Sequence, residues 1–300
     1  LCREEKNGYS GYQQLFMGDN DCNPAAMKEI IFPIRQDGLK ARAYAGTTYL
    51  VSAATIGGMP YASTGDPWKC MFARENLIEK FFPNKNDIPK ATVDDVLKNP
   101  SKEQVIAKDS EKGISTADVI AKAKDDRALL YMGVGGCEEG KVRTINPGEA
   151  ITGPLNGASF VKWSNLHADG STQHDQNYSD TDFPVFRLAE IYLTRAEAKY
   201  RLGQDGLDDI LKVQDRAHRA SKATSVNEQT LIDEWCREFF MEGRRRSDLV
   251  RFGLYTGSKY LWSFKGGAEK GAGVPSYYNI YPIPDNEIKN NPNMTQNPKY

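Results

Sequence analysis

Residue types able to do chemistry are thinly spread along the chain. Three histidines, His167, His174 and His218, are not spaced as HExxH, and "NLHADGSTQHD" reads as a polar turn, so metal-assisted hydrolysis finds no ligand set. "GVGGCEEG" is out of register for GxGxxG, and neither GxxxxGK(S/T) nor GxSxG occurs, which removes a phosphate cradle and a nucleophile elbow. The five cysteines, Cys2, Cys22, Cys70, Cys137 and Cys236, form no CxxC, and their odd number leaves at least one thiol unpaired. Adjacent acids such as Asp125/Asp126 and Glu138/Glu139 would serve glycoside hydrolysis only if carboxylates from distant places converged. They are expected on the solvated surface.

One stretch is different. "YAGTTYLVSAATIGGMPYASTGDPWKCMF", residues 44–72, combines Tyr44, Tyr49, Tyr61 and Trp68 with Gly, Ser, Thr and Asp. Aromatic faces pack against the C–H faces of sugar rings while nearby polar groups bond hydroxyls. The composition suits a carbohydrate platform. Taken singly, each ring is equally explained as an anchor of a long loop on the core.

The rest of the chain must position that loop. Its 300 residues suffice for one large domain or two ordinary ones. With 39 Lys plus Arg against 40 Asp plus Glu, no field would hold a polyanion, so nucleic acid is excluded as a partner. No apolar run approaches the roughly 18 residues that span a bilayer. The opening "LCREEKNGYSGY" lacks Met, a charged n-region and an apolar h-region, so the sequence is expected to be processed or cut from something longer.

"KEIIFPIRQ" (28–36) reads as an edge strand because of Pro33. Residues 37–67 read as a long irregular excursion. "ARENLIEKFFP" (73–83) has helical spacing with Pro83 as its stop. Residues 84–126 are expected on the surface, with "RALLYMGV" and "ASFVKWSNL" as short strands after them. In "DTDFPVFRLAEIYLTRAEAKYRLG", Asp182 is a candidate N-cap, Pro184 falls near the first turn, and Val185, Leu188, Ala189, Tyr192, Leu193 and Ala196 make the apolar stripe. A second helix, "GLDDILKVQDRAHRA", follows. A third, "NEQTLIDEWCREFFMEGRRRSDLVRFG", places Leu231, Trp235 and Phe239 one turn apart, and Arg244, Arg245 and Arg246 are expected to pair within the protein. The first of these segments reads as half of a helical repeat, and such units bury their faces only in stacks.

In this order and spacing, "DTDFPVFRLAEIYLTRAEAKYRLG", "EWCREFFMEGRRRSDLVRFG" and the terminal "YNIYPIPDNEIKNNPNMTQNPKY" resemble the C-terminal half of SusD/RagB-family proteins, which are glycan-binding outer-membrane lipoproteins of Bacteroidetes. "NPAAMKEIIFPI" and "FVKWSNLHADGS" resemble the same family, so the likeness runs from about residue 20 to the end. The terminal "NPKY" departs from it, since Gly is more usual in place of Lys299.

The resemblance implies a mainly α fold, a tetratricopeptide-like superhelix with long loop-rich insertions and a few short strands. Residues 1–179 would be the loop-rich region and 180–300 the helical region with its extended tail. The family's N-terminal helices and lipidated cysteine are expected outside this sequence. The implied role is non-enzymatic capture of oligosaccharide at the outer-membrane surface for a SusC-like TonB-dependent transporter. An α-glucan is expected first, and a fructan or another glycan is the alternative. No cofactor is implied beyond a structural calcium, for which "GDNDCN" (18–23) offers clustered oxygens. Trp68 resembles a sugar-stacking tryptophan of the starch-binding members, with Tyr44 as its partner platform and Tyr49 and Cys70 added by proximity. A helical-repeat scaffold holding a peptide in the same aromatic loop is the competing expectation.

Overall fold

The repeat-like segment after Asp180 begins as a strand. Phe183–Arg187 pairs antiparallel with Ile30–Ile34, with Pro33 opposite Pro184, and the helix starts only at Leu188. Periodicity from Val185 onward suggested helix, but the long-range partner at 30–34 decides the backbone. Asp182 is therefore no helix cap. Its carboxylate accepts the Gln36 N–H at 2.8 Å and the Arg35 guanidinium at 3.0 Å, tying the two strands together where they leave the ribbon.

The computed structural model describes residues 1–55, 63–68, 70–88, 116–131 and 158–300. In chain order its helices are α1 (Gly11–Gln14), α2 (Pro24–Met27), α3 (Thr47–Ala54), α4 (Glu75–Ile78), α5 (Thr116–Ala123), α6 (Leu188–Arg201), α7 (Leu207–Arg216), α8 (Glu228–Phe239), α9 (Arg245–Arg251) and α10 (Asp285–Asn290). The strands are β1 (Ile30–Ile34), β2 (Phe72–Ala73), β3 (Leu130–Tyr131), β4 (Ala158–Phe160) and β5 (Phe183–Arg187). β1 and β5 form the ribbon, and β2, β4 and β3 form a three-stranded antiparallel sheet in that order. The expected helical turns within 92–98, the Gly-rich 133–140 and most of 146–158 lie outside the described residues.

Several elements differ from their sequence reading. The excursion from Asp37 contains α3, whose buried face is built largely from Thr47, Thr48 and Ser52, so no apolar stripe announces it. Only Glu75–Ile78 of "ARENLIEKFFP" is helical, although Ile78, Phe81 and Phe82 are all buried as its spacing implied. The third helix is two. Met241 at φ 60° and Gly243 at φ 77° break it between Phe239 and Arg245. The tail is not extended throughout, because α10 forms directly after Pro284.

Two apolar clusters result. One gathers Tyr12, Phe16, Phe81, Phe82 and Trp163 with the small sheet. The other packs Leu193, Ile210, Val213, Leu231, Trp235 and Phe239 among α6, α7, α8 and α9. Gly206 permits the tight α6–α7 turn, since a Cβ there would stand 2.6 Å from the Ala196 carbonyl oxygen.

α8 joins the clusters because it has two faces. Glu234 and Glu238, one turn apart, turn away from the Leu231–Trp235–Phe239 stripe and meet buried cations from every side. Arg127 reaches Glu234 at 2.6 Å and Glu238 at 3.1 Å, Arg187 reaches Glu238 at 2.6 Å, and Arg216 bonds both Glu238 and Glu29. Asp125, expected at the surface, is buried in this network against Arg127 and Arg219 at 2.8 Å each. Charges taken from water so completely persist only when each is matched and hydrogen-bonded. Burial alone would raise Glu234, but Arg127 and Arg237 outweigh it and hold the carboxyl at about 2. Burial pushes the nearby Lys162 ammonium down to about 8.

Candidate functional site

Three segments that are distant in sequence bring their aromatic rings into one row. The first is the loop after β1. Asp37 Oδ1 accepts the N–H groups of Leu39, Lys40 and Ala41 at 2.8–2.9 Å, which folds the chain back and presents Arg42 and Tyr44. Gly46, at φ 65° and ψ −134°, then turns the backbone into α3, a conformation open to glycine alone. α3 carries Tyr49.

The second segment runs past α3 to Trp68, whose N–H donates to the Ser52 carbonyl at 2.8 Å. Its indole Nε1 donates to Asp66 Oδ2 at 2.8 Å, which sets the plane of the ring. The third is the loop 174–180, held by the buried amide of Asn165. That side chain donates to the Asp175 and Tyr178 carbonyls at 3.1 and 3.2 Å and accepts the Asp180 N–H at 2.7 Å. Thr48 Oγ1 accepts the Ser179 N–H at 3.0 Å and so docks this loop on α3.

The outcome is a continuous line of rings. Tyr49 and Trp68 have centroids 5.7 Å apart, Trp68 and Tyr44 6.2 Å, and Tyr44 and Tyr178 4.8 Å. Arg42 caps the line, its guanidinium 4.6 Å from the Tyr178 ring centre, with Asp175 at 3.7 Å. Tyr44 is 55% and Tyr49 42% exposed, while Trp68 and Tyr178 are half-buried. Of the residues expected from sequence, Tyr44, Tyr49 and Trp68 meet in this row. Cys70 is an exposed free thiol just beyond it, its N–H on the Ala53 carbonyl at 3.0 Å. Tyr61 lies outside the described residues. Sequence reading missed Tyr178, whose sole local signal is the Asx-rich "HDQNYSD" that predicts a turn.

Two of the histidines, His167 and His174, act in support of this loop. His167 lies within hydrogen-bond distance of Asp180 at 3.0 Å through Nε2 and of Ser171 at 2.7 Å through Nδ1, and His174 approaches the same Asp180 at 3.2 Å. The Asp180 hydrogen bond holds the His167 imidazole above its ordinary value. Among the described residues, no group of three or more His, Cys, Asp or Glu side chains could hold a metal. Asp19 accepts the Ala168 N–H at 2.9 Å, Asn20 Oδ1 accepts the Asp182 N–H at 3.0 Å, and Asn23 caps α2, so these acceptors already serve the backbone.

The helix-dominated scaffold is shared with SusD-like proteins. A SusD-like protein from Bacteroides fragilis superposes with a TM-score of 0.58 at 16% identity, over 99% of this chain and 59% of that one. Surface glycan-binding protein A from Bacteroides thetaiotaomicron gives 0.55 at 18% identity, over 96% and 54%. The chain belongs to the SusD family, whose sequence model matches residues 28–300. It is 52% identical over 296 residues to the starch-binding protein SusD of Bacteroides thetaiotaomicron, covering 97% of this chain and 52% of that protein. The chain thus spans about half the length of the curated relative it matches.

Proposed function

We propose that this chain is the ligand-bearing part of a non-catalytic, cell-surface glycan-binding protein, with an oligosaccharide laid along Tyr49, Trp68, Tyr44 and Tyr178. The row itself carries the reading: four rings in line, each touching its neighbour, with Tyr44 and Tyr49 exposed and Trp68 and Tyr178 half-buried. Each ring offers apolar area to a sugar face, while Arg42 and Asp66 at its margins serve hydroxyls. Neighbouring planes are tilted by 58°, 45° and 39°, which is compatible with a curved track and not with a single flat platform. A curved track favours a helically coiled α-glucan, and the name of the 52%-identical relative supports that choice. A fructan or another flexible glycan is the alternative, and Cys70 borders the end of the track.

The same reading attaches the whole protein to the outer membrane through an N-terminal lipid and passes its ligand to a SusC-like TonB-dependent transporter. Stacked rings with few fixed hydrogen bonds give modest affinity, which suits a ligand that must be released again. Calorimetric titration of the whole protein with α-glucan, fructan, β-glucan and mannan oligosaccharides, repeated with Trp68→Ala, tests the proposal. Binding of the α-glucan and its loss in the variant is the expected result. No binding of any glycan at millimolar concentration would overturn it and turn attention to peptides.

A further inference from the structure

A second concave site lies away from the aromatic row, between α8, α9 and the turn that follows them. Its cavity of about 380 Å³ is walled by Leu77, Trp235, Phe239, Tyr260 and Trp262 and shares no residue with the row. That size falls within the range of small-molecule pockets. Trp262 lies 6.4 Å from Tyr260, so one wall is aromatic over two rings.

The charges at this wall differ from those of the ionic network around α8. Arg127, Arg187 and Arg216 are buried with at least two carboxylates each. Arg244, at the cavity, likewise pairs with Glu190 and Asp248. Arg245 instead donates to the Ile232 carbonyl at 2.7 Å and to the Tyr260 hydroxyl at 2.8 Å, both neutral. Arg246 donates to the Tyr278 carbonyl at 2.7 Å and lies 3.7 Å from the Tyr281 ring centre. Among the described residues, neither makes an ion pair. A part-buried guanidinium held by neutral groups retains its demand for a counter-charge, and its planar fork matches a carboxylate.

We propose that this cavity binds a small planar organic anion, with its carboxylate at Arg245 and Arg246 and its ring against Trp262 and Leu77. Glycan capture on the aromatic row is not needed for this site, and the site does not need glycan capture. The probe is 2-naphthoate, titrated calorimetrically into the whole protein beside its neutral isostere 2-naphthamide.

The expected result is one-to-one binding of 2-naphthoate, at least tenfold tighter than the amide. Arg245→Met, which keeps the apolar stem, should weaken the carboxylate tenfold or more with the melting midpoint preserved. Trp68→Ala should leave it unchanged. Equal affinity for the two probes, no binding of 2-naphthoate at millimolar concentration, or an undiminished affinity in Arg245→Met would each overturn the proposal. So would loss of binding in Trp68→Ala, which would place the probe on the row. Should Arg245→Met fail to fold, the comparison of the two probes on the native protein decides, and Leu77→Trp, which fills the cavity, should abolish binding.

Discussion

At the scale of single residues, the orientation of Trp68 rests on one hydrogen bond to Asp66. A neutral hydrogen bond contributes on the order of 1 kcal/mol, and one to a carboxylate somewhat more. Asp66→Ala should therefore weaken glycan affinity by roughly 3- to 10-fold without lowering the melting temperature, while Asp66→Asn, which can still accept, should retain most of it. Calorimetry on the two variants separates these outcomes. Tyr178 contributes its ring face, so Tyr178→Phe should bind as the native protein does and Tyr178→Ala should lose affinity severalfold. Equal loss in both variants would assign the role to the hydroxyl instead. Trp68 and Tyr44 were legible in the sequence because they fall within one aromatic-rich stretch. Tyr178 was not, since it stands alone in a polar segment more than a hundred residues away, and Asn165 and Thr48 bring it in only once the chain has folded.

At the scale of elements, α8 shows why periodicity reads some features and hides others. Its apolar stripe is local, and Leu231, Trp235 and Phe239 are buried as expected. Its acidic stripe is the centre of the ionic network, and the cations that match it come from Arg127, Arg187 and Arg216, which no local pattern connects. The same limit explains β5, taken for helix until its partner strand is known, and α3, whose hydroxyl-lined face carries no apolar signal. Glu238→Gln leaves Arg187 and Arg216 with one charge fewer between them and should destabilise by about 3–5 kcal/mol, measured by denaturant unfolding. Acid should act in the same direction. Glu234 is held at about 2 against an ordinary 4.5, so its contribution is fully present above pH 4.5 and is lost as pH falls toward 2. Melting midpoints should decline as pH falls below about 5. A flat profile down to pH 3 would contradict the network.

At the scale of the whole molecule, the family was legible from three separated motifs in order, although none of them fixed the packing around it. The β1–β5 ribbon exposes Ile31, Phe32, Ile34 and Phe186, each more than half accessible. Such a surface on a short, open two-stranded sheet would ordinarily invite further strands to add on. Pro33 and Pro184 stand opposite one another one position from its end. Two prolines cannot exchange N–H···O bonds, so the pair occupies a non-hydrogen-bonded position and its missing donors face the two outer edges. Any strand approaching from either side meets a gap in the ladder near that end. Replacing both with Val should increase light scattering on prolonged incubation, whereas either single replacement should leave one edge guarded. The ribbon can thus be apolar on its face without acting as a template for fibrils.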